Sequence, residues 1–194
     1  MKKIGFIGVG IMGKSMVRNL MKAGFDVAIY TRTKSKVEDV ICEGAAWRDS
    51  VKECVADRDA VITIVGYPKD VEEVYFGEGG ILKNAPTGAY VIDMTTSSPK
   101  LAERIYEEAK AVGLYALDAP VTGGDSGAKA GTLTILAAAT GKLLMPACRY
   151  LRPWERILIM KERQEMDSIQ RCATRLRLQE HFPAPARLWP MPRL

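Results

Sequence analysis

Short apolar runs alternate with amphipathic segments over about the first two thirds of the chain. Each run has the length of a strand, and a continuous apolar run is typical of a strand buried on both faces of a parallel sheet. Between the runs, apolar residues such as Met12, Met16 and Leu20 recur at helical spacing. Strands that alternate with helices predict an α/β fold, a doubly wound (Rossmann) and mostly parallel sheet. The predicted strands are residues 4–7, 25–30, 60–65, 90–93 and 114–119, with a short strand after residues 44–46.

Local signals predict where several helices begin and end. Ser35 is placed to cap a second helix, and Pro99 suits the first turn of a helix that continues to about residue 112. Gly113 would end that helix. The glycine-rich residues 77–80 are predicted to form a loop.

The first predicted strand runs into Gly8-Val9-Gly10-Ile11-Met12-Gly13, the G-x-G-x-x-G pattern of a dinucleotide-binding turn. Gly8 would allow the tight turn, Gly10 would let the backbone approach a pyrophosphate, and Gly13 would let the helix lie close to the strand. Free amides at the helix start would face the phosphates. Such glycines can also serve packing alone, but the strand before them and the helix after them favour dinucleotide binding.

The residues after the second strand indicate which cofactor is preferred. An NAD-binding fold usually has an acid there for the ribose hydroxyls, but residues 31–36 contain no acid. A guanidinium can pair bidentately with the 2′-phosphate of NADP, and neighbouring hydroxyl and ammonium groups can assist it. We therefore predict NADP(H), with NAD(H) as the alternative, and place Arg32 as the main contact with Thr33 beside it. A solvated basic loop is the competing interpretation.

Residues that follow the later strands are further candidate ligand contacts, because ligands of such sheets lie outside the carboxyl ends of the strands. Val65 and Gly66 follow one strand and Thr96 follows the next, so these residues would border the nicotinamide half of the cofactor. Ser97 or Ser98 is better explained as a helix cap. The polar, glycine-rich residues 118–135 offer backbone amides beside hydroxyl groups, which suits a small carboxylate better than a plain turn.

Composition changes sharply near residue 137. Residues 138–194 carry 11 Lys/Arg and 5 Asp/Glu, whereas residues 1–137 carry 17 and 18. Of 17 glycines only Gly141 lies beyond residue 137, but 6 of the 10 prolines do. The excess charge therefore belongs to the tail, and nucleic acid is not predicted as a partner of the domain. We expect a dinucleotide-binding domain over residues 1–137 and a basic tail of different origin over residues 138–194.

The remaining composition favours a cytoplasmic protein without a metal site. No apolar run is long enough to span a bilayer and no charged, apolar leader is visible, so no membrane association is predicted. The four cysteines show no C-x-x-C spacing and His181 is the only histidine. Buried or incidental thiols are therefore expected rather than zinc ligands or a catalytic thiol.

Taken together, the glycine turn, the basic loop at Arg32, residues 93–96 and above all residues 118–133 resemble the β-hydroxyacid dehydrogenase family. Its members include 3-hydroxyisobutyrate dehydrogenase, tartronate semialdehyde reductase and, more distantly, 6-phosphogluconate dehydrogenase. The resemblance covers about residues 1–137. It implies a substrate-carboxylate site and a set of cofactor contacts. The carboxylate site would be Thr122, Gly123 and Gly124, and the cofactor contacts Gly8, Val9, Gly10, Ile11, Met12, Arg32, Val65, Gly66 and Thr96.

Members of this family continue with a G-x-x-G-x-G-x-x-x-K segment that carries the catalytic lysine and opens a helical domain. That domain closes the active site and usually forms the dimer. No lysine of this chain has the glycine-rich lead; Lys129 and Lys142 are the nearest. The resemblance therefore assigns no catalytic residue here, and the chain is expected to be inactive or nearly so on a small 3-hydroxy acid or its semialdehyde.

A shift of reading frame near Ala137 would explain the tail. Each displaced codon can be rebuilt from the third base of one codon and the first two of the next. Four junctions are forced: Met145-Pro146 to Ala, Trp154-Glu155 to Gly, Met160-Lys161 to Glu and Met166-Asp167 to Gly. The other junctions are only permitted, but together all of them allow GGDREAFDACLPVFEAMGTNI and then EGEAGNGQHTKMCNQIALAGA. This string contains the family's G-x-x-G-x-G-x-x-x-K segment, with its lysine arising across Gln170-Arg171.

Two alternatives stay open. The tail can be taken at face value, with Leu151, Trp154, Ile157 and Leu158 on one helix for an acidic partner or membrane surface. The whole chain can also be a non-catalytic dinucleotide-binding or interaction module. A partner that depends on an intact tail would distinguish such a module from an enzyme that has lost its catalytic half.

Overall fold

The computed structural model describes residues 2–138 and 141–161. Within these ranges, strands and helices alternate as the apolar pattern predicts. The strands are Lys3–Ile7 (β1), Asp26–Tyr30 (β2), Ala46–Trp47 (β3), Ala60–Thr63 (β4), Tyr90–Asp93 (β5), Tyr115–Asp118 (β6), Val121–Thr122 (β7), Leu133–Ala138 (β8) and Glu155–Lys161 (β9). The helices are Ile11–Lys22 (α1), Glu38–Cys42 (α2), Val51–Val55 (α3), Pro68–Phe76 (α4), Ile81–Asn84 (α5), Pro99–Ala111 (α6), Gly124–Ala130 (α7) and Gly141–Leu151 (α8).

One sheet contains all of these strands. Its first six strands lie in the order β3-β2-β1-β4-β5-β6, and every neighbouring pair among them is parallel. Beyond β6, strand β8 pairs antiparallel with β6 and β7 and parallel with β9. The doubly wound, mostly parallel Rossmann sheet is therefore confirmed.

Both faces of the sheet are buried, which explains the continuous apolar runs. In β4, Ile62 belongs to the hydrophobic cluster that contains α1, whereas its neighbour Val61 belongs to the cluster on the other face. Phe6 and Ile7 of β1 divide in the same way. Because successive side chains of a strand point to opposite faces, the middle positions of the central strands are apolar on both sides.

Some predicted helix ends are confirmed and one is wrong. Ser98 caps α6, since its hydroxyl accepts a hydrogen bond from the Leu101 amide at 3.3 Å, and Pro99 begins the helix. Ser35 instead lies inside a 3₁₀ turn, Lys34–Val37, and α2 begins after that turn without a side-chain cap. The helix α3, capped by Ser50, is absent from the predictions because five residues are too few to show helical periodicity.

Part of the basic tail packs on the domain. Trp154 is fully buried; its indole Nε1 donates to the Met16 carbonyl at 2.8 Å, and its ring meets Phe6 edge-on at 6.4 Å between centroids. The alternative of one helix through Leu158 is wrong, because α8 ends at Leu151 and Leu158 lies in β9. Residues 162–194 lie outside the described residues. The boundary at residue 137 and the changed reading frame stay predictions.

A chain of polar groups lies among the apolar residues where β4, β5 and β6 end. The Thr63 hydroxyl donates to Asp93 Oδ1 at 2.8 Å and lies 3.2 Å from the Tyr75 hydroxyl. Asp93 and Asp118 are register partners on adjacent parallel strands. Burial raises the pKa of Asp93 to about 6, and burial together with the charge of Asp93 raises the pKa of Asp118 to about 8.

Replacing Trp154 with alanine tests whether the start of the tail is part of the core. Loss of this side chain should cost about 3–5 kcal/mol, which is roughly 6–20 °C in the thermal midpoint of a domain of this size. Arg152→Ala, at an exposed position two residues earlier, is the control and should leave the midpoint unchanged. Equal midpoints for Trp154→Ala and the unaltered chain would show that this segment does not pack in solution.

Replacing Asp118 with asparagine should change how stability depends on pH. Because the folded-state pKa values of Asp93 and Asp118 are raised, the folded protein binds more protons than the unfolded chain between about pH 4 and pH 8. Stability should therefore fall as pH rises through this range, and Asp118→Asn should flatten that fall. At pH 8.5 a gain on the order of 1 kcal/mol would raise the midpoint by roughly 2–4 °C.

The exposed carboxylate of Glu72 on α4 provides the matched control for Asp118→Asn. Glu72→Gln should keep the slope of the unaltered chain in the same series of thermal melts. A slope that Asp118→Asn leaves unchanged would contradict the raised pKa.

Candidate cofactor-binding site

The turn between β1 and α1 is held by three neighbouring segments. Gly8 has φ +96°, and a Cβ added there would lie 2.1 Å from the Ile64 carbonyl oxygen, so no other residue fits without moving the backbone. The Gly8 amide donates to the Tyr30 carbonyl at 3.0 Å, and the Gly10 amide donates to the Gly8 carbonyl at 2.9 Å. The ends of β1, β2 and β4 therefore meet at Gly8.

The other two glycines of the motif have the predicted geometry. A Cβ on Gly13 would lie 2.4 Å from the Gly8 carbonyl oxygen, which shows how closely α1 approaches the turn. Gly10 is exposed and faces open space, with no atom within 4 Å of an added Cβ. The first helical hydrogen bond runs from the Lys14 amide to the Gly10 carbonyl at 3.0 Å. The amides that precede it lie at the positive end of the helix, where phosphate groups bind in such folds.

Hydrogen bonds also fix the segment that follows β4. The Val65 amide donates to the Thr95 hydroxyl at 3.0 Å, and the Thr95 amide donates to Asp93 Oδ1 at 3.0 Å. The buried carboxylate of Asp93 thus orients Thr95, and Thr95 orients Val65. This network places the loop containing Val65 and Gly66 opposite the glycine turn.

A cavity of about 220 Å³ opens where these segments meet. Its walls come from the glycine turn, from the end of β2, from the loop after β4 and from α4. The lining residues are Ile7, Gly8, Gly10, Tyr30, Thr31, Arg32, Ile64, Val65, Gly66, Asp70 and Val74. Five residues predicted from the sequence as cofactor contacts are therefore brought together: Gly8, Gly10, Arg32, Val65 and Gly66.

Arg32 projects from the end of β2 and is bound to two acids of α4. Its Nη2 donates to Asp70 Oδ1 at 2.5 Å and to Glu73 Oε2 at 3.2 Å. The hydrogen bond to Asp70 is the main cause of a raised Arg32 pKa, so the guanidinium stays charged. The side chain remains 64% exposed, which leaves it accessible to a ligand in the cavity.

The other predicted cofactor contacts lie outside the lining of this cavity. The Val9 side chain is buried in the core, which leaves only its backbone for a ligand, whereas Ile11 is 79% exposed. Met12 is half-buried against the core. Thr33 and Thr96 are exposed, one just before the 3₁₀ turn and the other after β5. Their roles stay predictions.

The glycine-rich residues 118–135 are more ordered than a loop. They contain β7, α7 and the start of β8, and the Asn19 side chain of α1 donates to the Ala128 carbonyl at 2.8 Å. Gly123 and Gly124 both have positive φ, +124° and +60°, where the chain turns into α7. Thr122, Gly123 and Gly124 lie together there, apart from the lining of the cavity, and their role toward a carboxylate stays a prediction.

Cysteine and acidic clusters provide little further chemistry in the described part of the chain. Cys54 is buried, and burial raises the pKa of its thiol to about 12, which leaves it protonated. Cys148 is also buried and Cys42 is exposed, whereas Cys172 lies outside the described residues. Residues 2–138 and 141–161 contain no group of three potential metal ligands and no helix long and apolar enough to cross a bilayer.

Two residues that shape the site are absent from the sequence predictions. Asp70 lines the cavity and binds Arg32, although 38 residues separate the two in the chain. Thr95 holds the backbone of Val65, whereas the sequence predicts its neighbour Thr96. No local signal separates the two threonines, because Asp93 and Met94 before them are both buried although their side chains alternate.

Curated relatives match about 70% of this chain. Oxidoreductase YkwC of Bacillus subtilis is 58% identical over 135 residues, which are 70% of this chain and 47% of that protein. The 3-hydroxyisobutyrate dehydrogenase of Pseudomonas aeruginosa is 38% identical over 136 residues, 70% of this chain and 46% of the enzyme. This chain thus spans about half the length of the curated relatives that it matches.

A solved structure shares the fold. The structure of Mycobacterium tuberculosis 3-hydroxyisobutyrate dehydrogenase with L-serine superimposes with a TM-score of 0.79 at 31% identity. The superposition covers 84% of this chain and 55% of that one. The family match described as the NAD binding domain of 6-phosphogluconate dehydrogenase extends over residues 3–153. The predicted resemblance is confirmed: this chain belongs to the family of the NAD-binding domain of 6-phosphogluconate dehydrogenase, and its relatives are 3-hydroxyisobutyrate dehydrogenase-like oxidoreductases.

Proposed function

We propose that this domain binds NADP(H) in preference to NAD(H) and serves the interconversion of a small 3-hydroxy acid and its semialdehyde. The observation that supports it is the cavity in which the glycine turn, Arg32 and the Val65-Gly66 loop meet. The residues present fit a dinucleotide. Gly10 leaves open space beside the amides of α1 for a pyrophosphate, and Arg32 offers a guanidinium to a phosphate on the adenosine ribose.

The chemistry divides between cofactor and protein. When bound, the nicotinamide supplies or accepts hydride. The protein holds the phosphates at the glycine turn, and Val65, Gly66 and Thr96 border the nicotinamide half. Thr122, Gly123 and Gly124 are proposed to hold the carboxylate of the hydroxy acid. The bound L-serine named for the M. tuberculosis enzyme has both a carboxylate and a 3-hydroxyl group, as this proposal requires of a substrate.

We also propose that the 194-residue chain has no catalytic acid/base. Lys129 is the lysine nearest the carboxylate site in sequence, but it pairs with Asp125 at 2.7 Å along α7 and its side chain is 66% exposed. The side chain of Lys142 lies outside the described part of the structure. A change of frame near Ala137 would have replaced the segment that carries the lysine in the family.

Arg32→Ala tests the cofactor preference. Loss of a charge-assisted hydrogen bond to the 2′-phosphate should weaken NADPH binding roughly ten- to hundredfold and leave NADH binding nearly unchanged. Dissociation constants from calorimetry are the measurement. Lys36→Ala removes an equal charge from the same loop at an exposed position and should change the affinity for either cofactor only slightly. If Arg32→Ala weakens the binding of both cofactors alike, Arg32 does not recognise the 2′-phosphate.

Turnover tests the missing catalytic group. The 194-residue chain should bind NADP+ yet form no NADPH with 3-hydroxyisobutyrate, glycerate or 4-hydroxybutyrate. A gene in which the frame is restored at the Ala137 codon should recover activity. Turnover by the unaltered chain would refute the absence of a catalytic acid/base. A nucleotide sequence without a family segment in the displaced frame after Ala137 would refute the change of frame.

A further inference from the structure

The two acids that hold Arg32 come from the same face of α4. Asp70 and Glu73 are three residues apart, so their side chains are neighbours on the helix. Both accept hydrogen bonds from a single nitrogen, Nη2 of Arg32. The Asp70 side chain is only 18% exposed and lies in the cavity wall, whereas that of Glu73 is 73% exposed.

This arrangement leaves the predicted phosphate position with an excess of negative charge. One guanidinium faces two carboxylates, so the cluster carries a net charge of about −1. The two lysines of the loop do not pair with these carboxylates. Lys34 Nζ lies over the Trp47 ring, 5.5 Å from its centroid, on the side of β3, and the ion pairs of Asp70 and Glu73 in the described part of the chain are with Arg32. Such a cluster attracts a dianionic phosphate much less than a free arginine does.

We propose that Asp70, assisted by Glu73, competes with the 2′-phosphate of NADP(H) for Arg32 and so determines how strongly the site prefers NADP(H) over NAD(H). This inference rests on the proposed function, because it concerns the same arginine and the same cavity. It assigns a specificity-determining role to α4, which lies outside the glycine turn and the loop after β2.

The physical reason is that phosphate and carboxylate require the same donors. To bind a 2′-phosphate through Nη2, Arg32 must release Asp70 or share its nitrogen with a dianion. Release leaves a partly buried carboxylate without its cation and beside a group of like charge. NAD(H) has no 2′-phosphate, so it can occupy the cavity with the Arg32–Asp70 pair intact.

A purely structural role for the pair predicts a different outcome. If Asp70 only tied α4 to the end of β2, its loss would loosen the cavity and weaken every adenosine ligand to a similar degree. A competitor for Arg32 instead acts on ligands with a 2′-phosphate alone. The ratio of the affinity for a ligand with a 2′-phosphate to the affinity for one without it therefore distinguishes competition from a structural role. Neither affinity alone does so.

Adenosine 2′,5′-bisphosphate and AMP test the inference, because they differ by the 2′-phosphate and need no nicotinamide site. Asp70→Asn, which keeps the shape of the side chain, should tighten adenosine 2′,5′-bisphosphate binding roughly tenfold and change AMP binding less than about twofold. Glu73→Gln should tighten adenosine 2′,5′-bisphosphate binding by a smaller factor. Glu72→Gln on the same helix is the charge-matched control and should change neither affinity.

Three results would overturn the inference. Asp70→Asn could leave both affinities unchanged, could weaken the binding of both ligands equally, or could weaken AMP binding alone, which would make Asp70 a ribose contact. Thermal midpoints for all variants exclude loss of folding as the cause. In the background of Arg32→Ala, Asp70→Asn should lose most of its effect. Persistence of the full effect there would show that Asp70 acts by charge alone and not through Arg32.

Failure of the proposed function gives a distinct pattern. If the unaltered chain binds neither NADPH nor NADH, the domain is not a dinucleotide site. If Arg32→Ala leaves the affinity for adenosine 2′,5′-bisphosphate unchanged while Asp70→Asn raises it, the 2′-phosphate binds elsewhere in the cavity, and the competition through Arg32 is refuted although cofactor binding stands.

Discussion

The close approach at Gly8 is the constraint on which the rest of the site depends. The backbone there turns with positive φ directly against the Ile64 carbonyl, and the Gly8 amide is bound to the end of β2. Because Gly13 in turn lies against the Gly8 carbonyl, the first turn of α1 is fixed to the same point. Three parallel strands and one helix N-terminus are therefore held to a common position, and the cavity lies between them.

The buried carboxylate of Asp93 helps to fix the same site, at a cost in stability. Asp93 orders Thr95 and through it the Val65 backbone, but parallel register places it beside Asp118. Burial raises the pKa of Asp93, and burial together with the charge of Asp93 raises the pKa of Asp118. The ordered loop opposite the glycine turn is thus obtained at the expense of stability at alkaline pH.

The sheet and the glycine turn could be predicted because their signals are local: apolar runs, helical spacing and the G-x-G-x-x-G pattern. Arg32 could also be predicted as a candidate cofactor contact, from the absence of an acid after β2. Its partner Asp70 could not be, because an ion pair between the end of β2 and α4 depends on how the helix packs and not on nearby sequence. Short helices such as α3 could not be predicted because they show no helical periodicity. The predicted cap at Ser35 is wrong because Ser35 lies inside a 3₁₀ turn.

The first part of the tail packs on the sheet through a regular apolar spacing. Ala147, Tyr150, Leu151 and Trp154 are buried at the spacing of one helix face, and apolar spacing of that kind is enough to cover a sheet whatever the origin of the segment. Among the described residues, however, those that line the cavity lie between Ile7 and Val74. The described lining of the cavity therefore comes from the part of the chain before the change in composition. A change of frame near Ala137 would remove the catalytic lysine and leave the lining of the cofactor site untouched.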